Sequence, residues 1–145
     1  MQHLSDDVKL TVVQAGLADG QTDPDSDRVD MAGYDGVMFV CQVGTITGSG
    51  TVTMAAKQAA TDIVGDALSG ASVVATAAAD SDKLLVIDIF RPTDRYVGVT
   101  LTRATANSVI GGVVAIQYRA KAKPTTHDSD SMAADAVTLV SPAES

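Results

Sequence analysis

The sequence is poor in the residues that build disulfide frameworks, metal centres and stacking surfaces. Its 145 residues include one cysteine, two histidines, three tyrosines, two phenylalanines and no tryptophan. A single cysteine excludes an intramolecular disulfide and a four-cysteine zinc site. With so few aromatic side chains, the chain has few rings on which bases or sugars could stack.

Positive charge is also scarce. Eighteen acidic residues stand against ten lysines and arginines, which gives a net charge of −8. An acidic surface repels phosphate backbones, so nucleic acid is not an expected partner, whereas solubility is favoured. The first ten residues, "MQHLSDDVKL", carry neither a basic region nor an apolar run, so they do not predict a secretion signal.

The longest uncharged stretch, from Gly36 to Ala56, has the length of a membrane span. Its glycines and threonines are costly in hydrocarbon, so a membrane is not expected either. Apolar residues alternate on both faces between Val37 and Val43, which predicts a strand that is buried on both sides. In "TITGSGTVT", the loop Gly48-Ser49-Gly50 predicts a hairpin between the flanking segments.

The same alternation predicts further strands. In the segment "SVIGGVVAIQYRA", we expect Ile110, Val114, Ile116 and Tyr118 to share a face with Gly112. Residues 55–79 are interpreted as the end of a strand, a loop and another strand, with a short helix at "AAKQAATDIVGDAL" as the alternative. The remaining predicted strands are Val8–Val12, "KLLVIDIF", "RYVGVTLTR" and "AVTLV".

Seven or eight short strands separated by turn residues predict an all-β fold. We expect one antiparallel β-sandwich or barrel-like domain over residues 8–120. Residues 1–7 then form an N-terminal arm, and residues 121–145 form an extended C-terminal tail. Both ends are polar, and polar ends of this kind are mobile unless a partner binds them.

An acidic segment, "DPDSD", resembles the start of a calcium-binding loop because Asp23, Asp25 and Asp27 alternate. Such a loop needs glycine at its sixth position and glutamate at its twelfth. Those positions hold Arg28 and Tyr34. A solvated acidic loop is therefore the expected structure, and no metal or other cofactor is predicted.

Residues capable of nucleophilic or acid–base chemistry are not arranged in a recognisable site. Cys41 lies within an apolar strand and is expected to be a buried, inert thiol. His3 and His127 lie in the polar ends, where exposure to solvent is expected. The carboxylate pairs Asp88/Asp94 and Asp62/Asp66 are more simply exposed strand or turn residues. The chain is therefore not expected to be an enzyme or to bind a small-molecule substrate.

Three arginines, Arg91, Arg95 and Arg103, lie close together in sequence around one turn and one strand, with Asp94 among them. Ion pairs between these residues are one expectation. Arginine also suits a subunit boundary, because its planar fork pairs with carboxylates through two hydrogen bonds. A simple solvated turn is the alternative.

Several short stretches in the middle of the chain carry a family likeness. They are Ala18-Asp19-Gly20, Gly33-Tyr34-Asp35-Gly36, Val43-Gly44-Thr45, Lys57-Gln58, Asp62 and Arg95-Tyr96-Val97. Over about residues 8–120 the chain in this respect resembles the head decoration, or cement, proteins of tailed bacteriophages. The resemblance implies a structural virion protein, made in the cytoplasm of the bacterial host and placed on the outer surface of the capsid.

The same resemblance implies the partners. They are the major capsid protein and further copies of the chain itself, as a homotrimer. Apart from the resemblance, the arginine cluster and the polar tail predict the interface residues, which are Arg91, Asp94, Arg95, Arg103, Pro124 and His127. The tail would become ordered on contact with the capsid or with neighbouring subunits.

Two other functions stay open. One is a different virion subunit, for head completion, the tail or a fibre base, which would form rings or fibres. The other is a β module that binds a glycan or a receptor, which normally needs more exposed aromatic residues than this chain has.

Overall fold

Two antiparallel sheets packed face to face make up the protein, as described for residues 3–61 and 65–140 by a computed structural model. The all-β sandwich predicted from the alternation is confirmed. In the described residues no helix has the length and apolar character of a membrane span. The strands are β1 (Lys9–Gln14), β2 (Leu17–Gly20), β3 (Val29–Asp30), β4 (Gly36–Ile46), β5 (Thr51–Ala59), β6 (Asp66–Thr76), β7 (Leu84–Phe90), β8 (Tyr96–Ala104) and β9 (Ser108–Tyr118), and a short helix, α1, spans Leu4–Asp7.

The first sheet has the strand order β1-β9-β4-β7, with β2 also paired to β9, and the second has the order β3-β8-β5-β6. β4 presents Val37, Phe39, Cys41 and Val43 to the core, and none of these has exposed surface. Facing them, the inward side chains of β5 and β8 are equally buried. They are Val52, Met54, Ala56, Val97, Val99 and Leu101.

The predicted hairpin at "TITGSGTVT" is wrong. β4 pairs with β7 and β9, whereas β5 pairs with β6 and β8, so the two segments lie in different sheets. Gly48-Ser49-Gly50 carries the chain from one sheet to the other, with Gly48 at a φ of 54°. This crossing places Ile46 and Val52 together in the core, at 1% and 0% exposure. The burial of both side chains favours the crossing over the local pairing.

The predicted face of β9 is also wrong beyond Ile110. Ile110 is buried, but the next buried side chains are Val113, Ala115 and Gln117, so Val114, Ile116 and Tyr118 lie on the outer face. The register against β4 shifts between Gln42 and Val43, which marks a β-bulge. Gly112 has a φ of 118° at this point. One extra residue in the strand exchanges its two faces, and alternation alone does not reveal it.

The outer face of β4 is less buried than predicted. Met38 and Val40 are half-buried, and Gln42 is exposed. The expectation of burial on both sides is therefore wrong, since the described residues place no second layer over this face of the first sheet.

Between residues 55 and 79 the predicted strand end and second strand are confirmed, and the helix alternative is wrong in the described residues. The predicted loop lies partly outside the described residues. β5 continues to Ala59 and β6 begins at Asp66. Asp62, one of the carboxylates considered as an acid–base pair, lies outside the described residues.

The free edge of β1 is covered by the C-terminal segment. The Leu10 N–H donates to Nδ1 of His127 at 3.1 Å, and the Val12 N–H donates to Oγ of Ser131 at 2.8 Å. These two N–H groups are alternate donors of an edge strand, which would otherwise be open to pairing. His127 is thus half-buried, and its predicted exposure to solvent is wrong. Its Nε2 lies 3.1 Å from the Ser5 carbonyl.

An equivalent cover lies along the outer side of β8, beyond the two residues that pair with β3. The backbone N–H groups of Val99, Leu101 and Arg103 donate to Ser26 Oγ, the Pro24 carbonyl and Asp23 Oδ1, respectively. The acidic segment "DPDSD" is therefore an edge cover as well as an acidic loop. In the described residues, no group of three metal-ligating side chains is placed to hold an ion.

Arg103 lies in the interior, with 4% exposure. Its guanidinium donates to the carbonyls of Ala18, Thr22 and Ser108 at 2.6 to 2.9 Å, and to the Thr22 hydroxyl. One side chain therefore fastens the segment that follows β2 to the start of β9. Because its donors are used inside the subunit, Arg103 is not free to pair with another chain.

We expect Arg103→Met to lower the free energy of unfolding by about 3 kcal/mol, since the buried Ser108 carbonyl and the part-buried carbonyls of Ala18 and Thr22 lose their donor. Lys83→Met is the matched control, because Lys83 forms an exposed pair with Asp80 and its loss should change stability by about 0.5 kcal/mol or less. Denaturant unfolding of both variants measures the difference. Equal losses would contradict the assigned role of Arg103.

Candidate functional site

One end of the sandwich gathers exposed arginine and aromatic side chains. Strands β7 and β9 flank β4, so Phe90 and Tyr118 both lie opposite Gly36, at the start of β4. Each aromatic residue is followed directly by an arginine. We name this set the arginine end, and it consists of Phe90, Arg91, Arg95, Tyr118 and Arg119.

The rings of Phe90 and Tyr118 are stacked across β4. Their centroids are 6.5 Å apart, and their planes differ by 10°. The stack depends on Gly36, because a Cβ atom there would lie 2.3 Å from Cζ of Tyr118. The absence of a side chain at Gly36 thus lets the tyrosine ring lie across the strand toward Phe90.

Two guanidinium groups lie over the Phe90 ring. The Cζ atoms of Arg91 and Arg119 are 5.0 and 5.4 Å from its centroid, within the range of a cation–π interaction. Both arginines have a φ of 53°, a left-handed conformation that residues other than glycine avoid. Strained backbone of this kind is concentrated at functional sites.

Tyr118 is held from its other end by Asp88. Its hydroxyl donates to Oδ1 of Asp88 at 2.5 Å. Burial, followed by this hydrogen bond, raises the pKa of Tyr118 to about 12. The carboxylate of Asp88 therefore positions the Tyr118 ring. The sequence had suggested Asp88 and Asp94 as a candidate acid–base pair.

Arg95 forms an ion pair with Asp30, not with Asp94 as considered from the sequence. Nε and one terminal nitrogen of Arg95 donate to the two carboxylate oxygens at 2.8 and 2.7 Å. The hydrogen bonds from Arg95 lower the pKa of Asp30. The Arg95 guanidinium also lies 5.3 Å from the Tyr96 centroid. It is thus held in place by a carboxylate and a ring.

The residues proposed from sequence fall into three places. Arg91, Asp94 and Arg95 lie in one turn at the arginine end, and Arg103 lies in the interior. Pro124 and His127 lie in the tail, which leaves β9 beside the arginine end, where the Lys121 N–H donates to the Gly33 carbonyl at 2.9 Å.

Sequence reasoning missed three members of the site, Phe90, Tyr118 and Arg119. A signal was present, because two predicted strands end in an aromatic residue followed by arginine, as "FR" and "YR". Arginine and aromatic residues are both enriched in the centres of protein interfaces. The arginine end is thus chemically suited to contact a protein surface that offers carboxylates or apolar side chains.

Cys41 has the buried position predicted for it. It has no exposed surface, and burial raises the pKa of its thiol to about 11. A thiol with this pKa is almost entirely protonated at neutral pH, so it is a poor nucleophile.

Comparison with known proteins gives a fold but no family. No protein-family model and no curated protein matches the chain. One similar solved structure is a Bacillus chain, described as "Bacillus endospore appendages form a novel family of disulfide-linked pili", with a TM-score of 0.50 and 15% identity. The match covers 80% of this chain and 91% of that chain. At this identity the likeness shows a shared fold alone.

The high pKa of Tyr118 can be measured directly. The folded state holds the phenolic proton more tightly than the unfolded state, so the contribution of Tyr118 to stability is complete below about pH 10. It is lost as the pH rises through about 12. We expect one phenolate transition near pH 12 in the ultraviolet titration of the folded protein, and its absence in Tyr118→Phe. An unchanged titration curve in that variant would contradict the assignment.

The burial of the Cys41 thiol leads to a prediction about its reactivity. Cys41 should not react with a disulfide reagent at pH 8 while the protein is folded, and should react fully in denaturant. Absorbance of the released thiolate measures both. Rapid reaction of the native protein would show that the strand face of β4 opens or that Cys41 is exposed.

Proposed function

We propose that the chain is a structural subunit that decorates the outside of a tailed-phage head as a homotrimer, attached to the major capsid protein through the arginine end. The observation that carries the proposal is the concentration of exposed arginine and aromatic side chains at one end of a chain of net charge −8. Within this end Arg95 pairs with Asp30 and Arg119 lies 3.7 Å from Asp35, whereas Arg91 forms no ion pair in the described residues. Its guanidinium, held over the Phe90 ring, is therefore the group that suits a carboxylate of a partner.

The way the site is built supports this proposal. Its side chains come from the ends of β7 and β9, from the turn that precedes β8, and from the position opposite Gly36. A site held on paired strand ends keeps its geometry when a partner binds, so little conformational entropy is lost on attachment. Decoration of a shell requires a rigid surface of this kind.

The sequence resemblance supports the proposal at the same place. Two of the stretches that carry it, Gly33–Gly36 and Arg95–Val97, lie at the arginine end. Gly36 makes room for the Tyr118 ring, and Arg95 pairs with Asp30. Two of the stretches on which the resemblance rests therefore also contribute to this surface.

A fibre subunit is the second candidate, favoured by the fold shared with the Bacillus chain described as part of disulfide-linked pili. A covalent fibre of that description does not suit this chain, because Cys41 has no exposed surface and is its one cysteine. A fibre of these subunits would need contacts between strands or side chains instead.

The proposal is tested by binding the purified protein to phage heads that lack it. Arg91→Ala should weaken binding by about tenfold, because the substitution removes a charged, ring-stacked side chain at the centre of the contact. Lys83→Ala removes one exposed positive charge elsewhere and should bind like the unaltered protein. Added salt should weaken binding of the unaltered chain. Equal binding by the two variants would overturn the role of the arginine end.

The position of the protein in the virion is tested by measuring its copy number in purified particles. A copy number in purified virions that is comparable to that of the capsid protein supports decoration. A few copies for each particle would instead assign the chain to the head-completion complex, the tail or a fibre base.

A further inference from the structure

In the described part of the chain, two of the four outer edges of the two sheets are covered by other segments of the chain, and two are not. The edge of β1 is covered by the tail, and the outer side of β8 is covered by the two-residue strand β3 and by residues 23–26. The other two edges belong to β7 and β6, which lie beside each other and line a groove on the open side of the sandwich. The groove is lined partly by apolar side chains, among them Leu68, Val73, Val86 and Phe90.

Of these two strands, β7 has the more regular edge. Its seven residues pair with β4 without a shift of register. Of the two residues that flank β7, Lys83 accepts a hydrogen bond from the Val43 N–H of β4, and Arg91 donates its N–H to the carbonyl of Asp35, directly before β4. By the alternation of an antiparallel ladder, the even-numbered residues of β7 direct their N–H and carbonyl groups to the free edge. β6, by contrast, is interrupted by a shift of register and by Gly70, at a φ of 77°.

A segment with the properties of a missing strand lies in the same chain. Residues 136–140, "AVTLV", are uncharged and mostly β-branched or aliphatic, and they were expected to form a strand. They are irregular in the structure, and that expectation is wrong for the single subunit. Val137, Leu139 and Val140 are 83%, 63% and 74% exposed, although such side chains are normally buried.

The segment cannot reach β7 of its own subunit. Ser131 is bonded to β1, and five further residues extend at most about 18 Å. The path from beyond β1, across β9 and β4, to beyond β7 covers five strand spacings, or about 24 Å. While the tail stays on β1, an edge of β7 within reach must therefore belong to another molecule.

We propose that residues 136–140 of one copy add as a strand to the free edge of β7 in a second copy. Val137 and Leu139 would enter the groove between β6 and β7, and main-chain hydrogen bonds would be made to the even-numbered residues of β7. Donor and acceptor surfaces differ, so the contact is head-to-tail and generates a ring or a chain of subunits. The inference does not depend on attachment to a capsid, because it concerns contacts between copies of this chain.

The test is self-association of the full chain, followed by sedimentation and light scattering as its concentration rises. A five-residue strand makes a small interface, so weak association is expected, strengthened by salt because two copies of charge −8 repel each other. The arginine-end contact responds to salt in the opposite sense, which separates the two proposals.

Two variants test the two sides of the contact, which are the donor segment, residues 136–140, and the edge of β7. Val137→Asp/Leu139→Asp alters the donor segment, and Val86→Pro removes an edge N–H that does not bond to β4. Each should lower the association constant by about tenfold or more. Ala133→Asp/Ala134→Asp adds the same charge to exposed tail positions outside the segment and should associate more strongly than the donor variant. If Val86→Pro lowers thermal stability, Val86→Lys serves as a charged edge in its place.

Mixing the two variants gives the decisive result. The donor variant keeps an intact β7, and the edge variant keeps an intact segment, so a mixture should form a one-to-one dimer that grows no further. A mixture that stays monomeric would overturn the proposal. So would a parent protein that is monomeric up to about 1 mM, or equal association by the donor variant and its control.

Discussion

The structure depends on close packing between the largely apolar inner faces of two sheets. On β4, Val37, Phe39, Cys41 and Val43 have no exposed surface, and Met54 and Leu101 from the second sheet lie in the same core. This core combines small valine and alanine side chains with larger aliphatic ones and one phenylalanine, and its dense packing leaves little freedom for rearrangement. The positions of the strand ends follow from this core. The arginine end and the groove beside β7 are therefore fixed by packing that lies well away from them.

Alternation in the sequence was enough to identify strands wherever one strand runs unbroken, as in β7 and β8. It failed where the backbone departs from regular pairing. Gly112 introduces a bulge that exchanges the faces of β9, and Gly48–Gly50 lead the chain into the opposite sheet when local pairing was expected. Both failures come from interactions distant in sequence, which a local pattern does not contain. The segment "AVTLV" has strand propensity, but the free edge of β7 in its own subunit is out of its reach while Ser131 is bonded to β1.

The candidate site was predicted only in part, for a similar reason. Arg91 and Arg95 were selected by residue type and proximity in sequence. Arg119 lies 28 positions after Arg91 and joins it because β7 and β9 both pair with β4. Arg103 is close to Arg95 in sequence, yet it faces the core, where it binds backbone carbonyls. Charge patterns show which side chains are available for ion pairs. Only the strand order shows which of them meet at one surface.

The cover on β1 has a consequence for how the protein is made. Leu10 and Val12 leave the ribosome about 100 residues before their partners in β9, and before His127 and Ser131, which follow β9. Translation at 5–20 residues per second leaves this N-terminal strand without either neighbour for several seconds, about 6–24 s for the final acceptor. During that interval the nascent chain carries an unpaired β-strand, which is a target for chaperones and for pairing with other nascent chains. The order of synthesis thus makes the first strand of the sandwich the last to be enclosed.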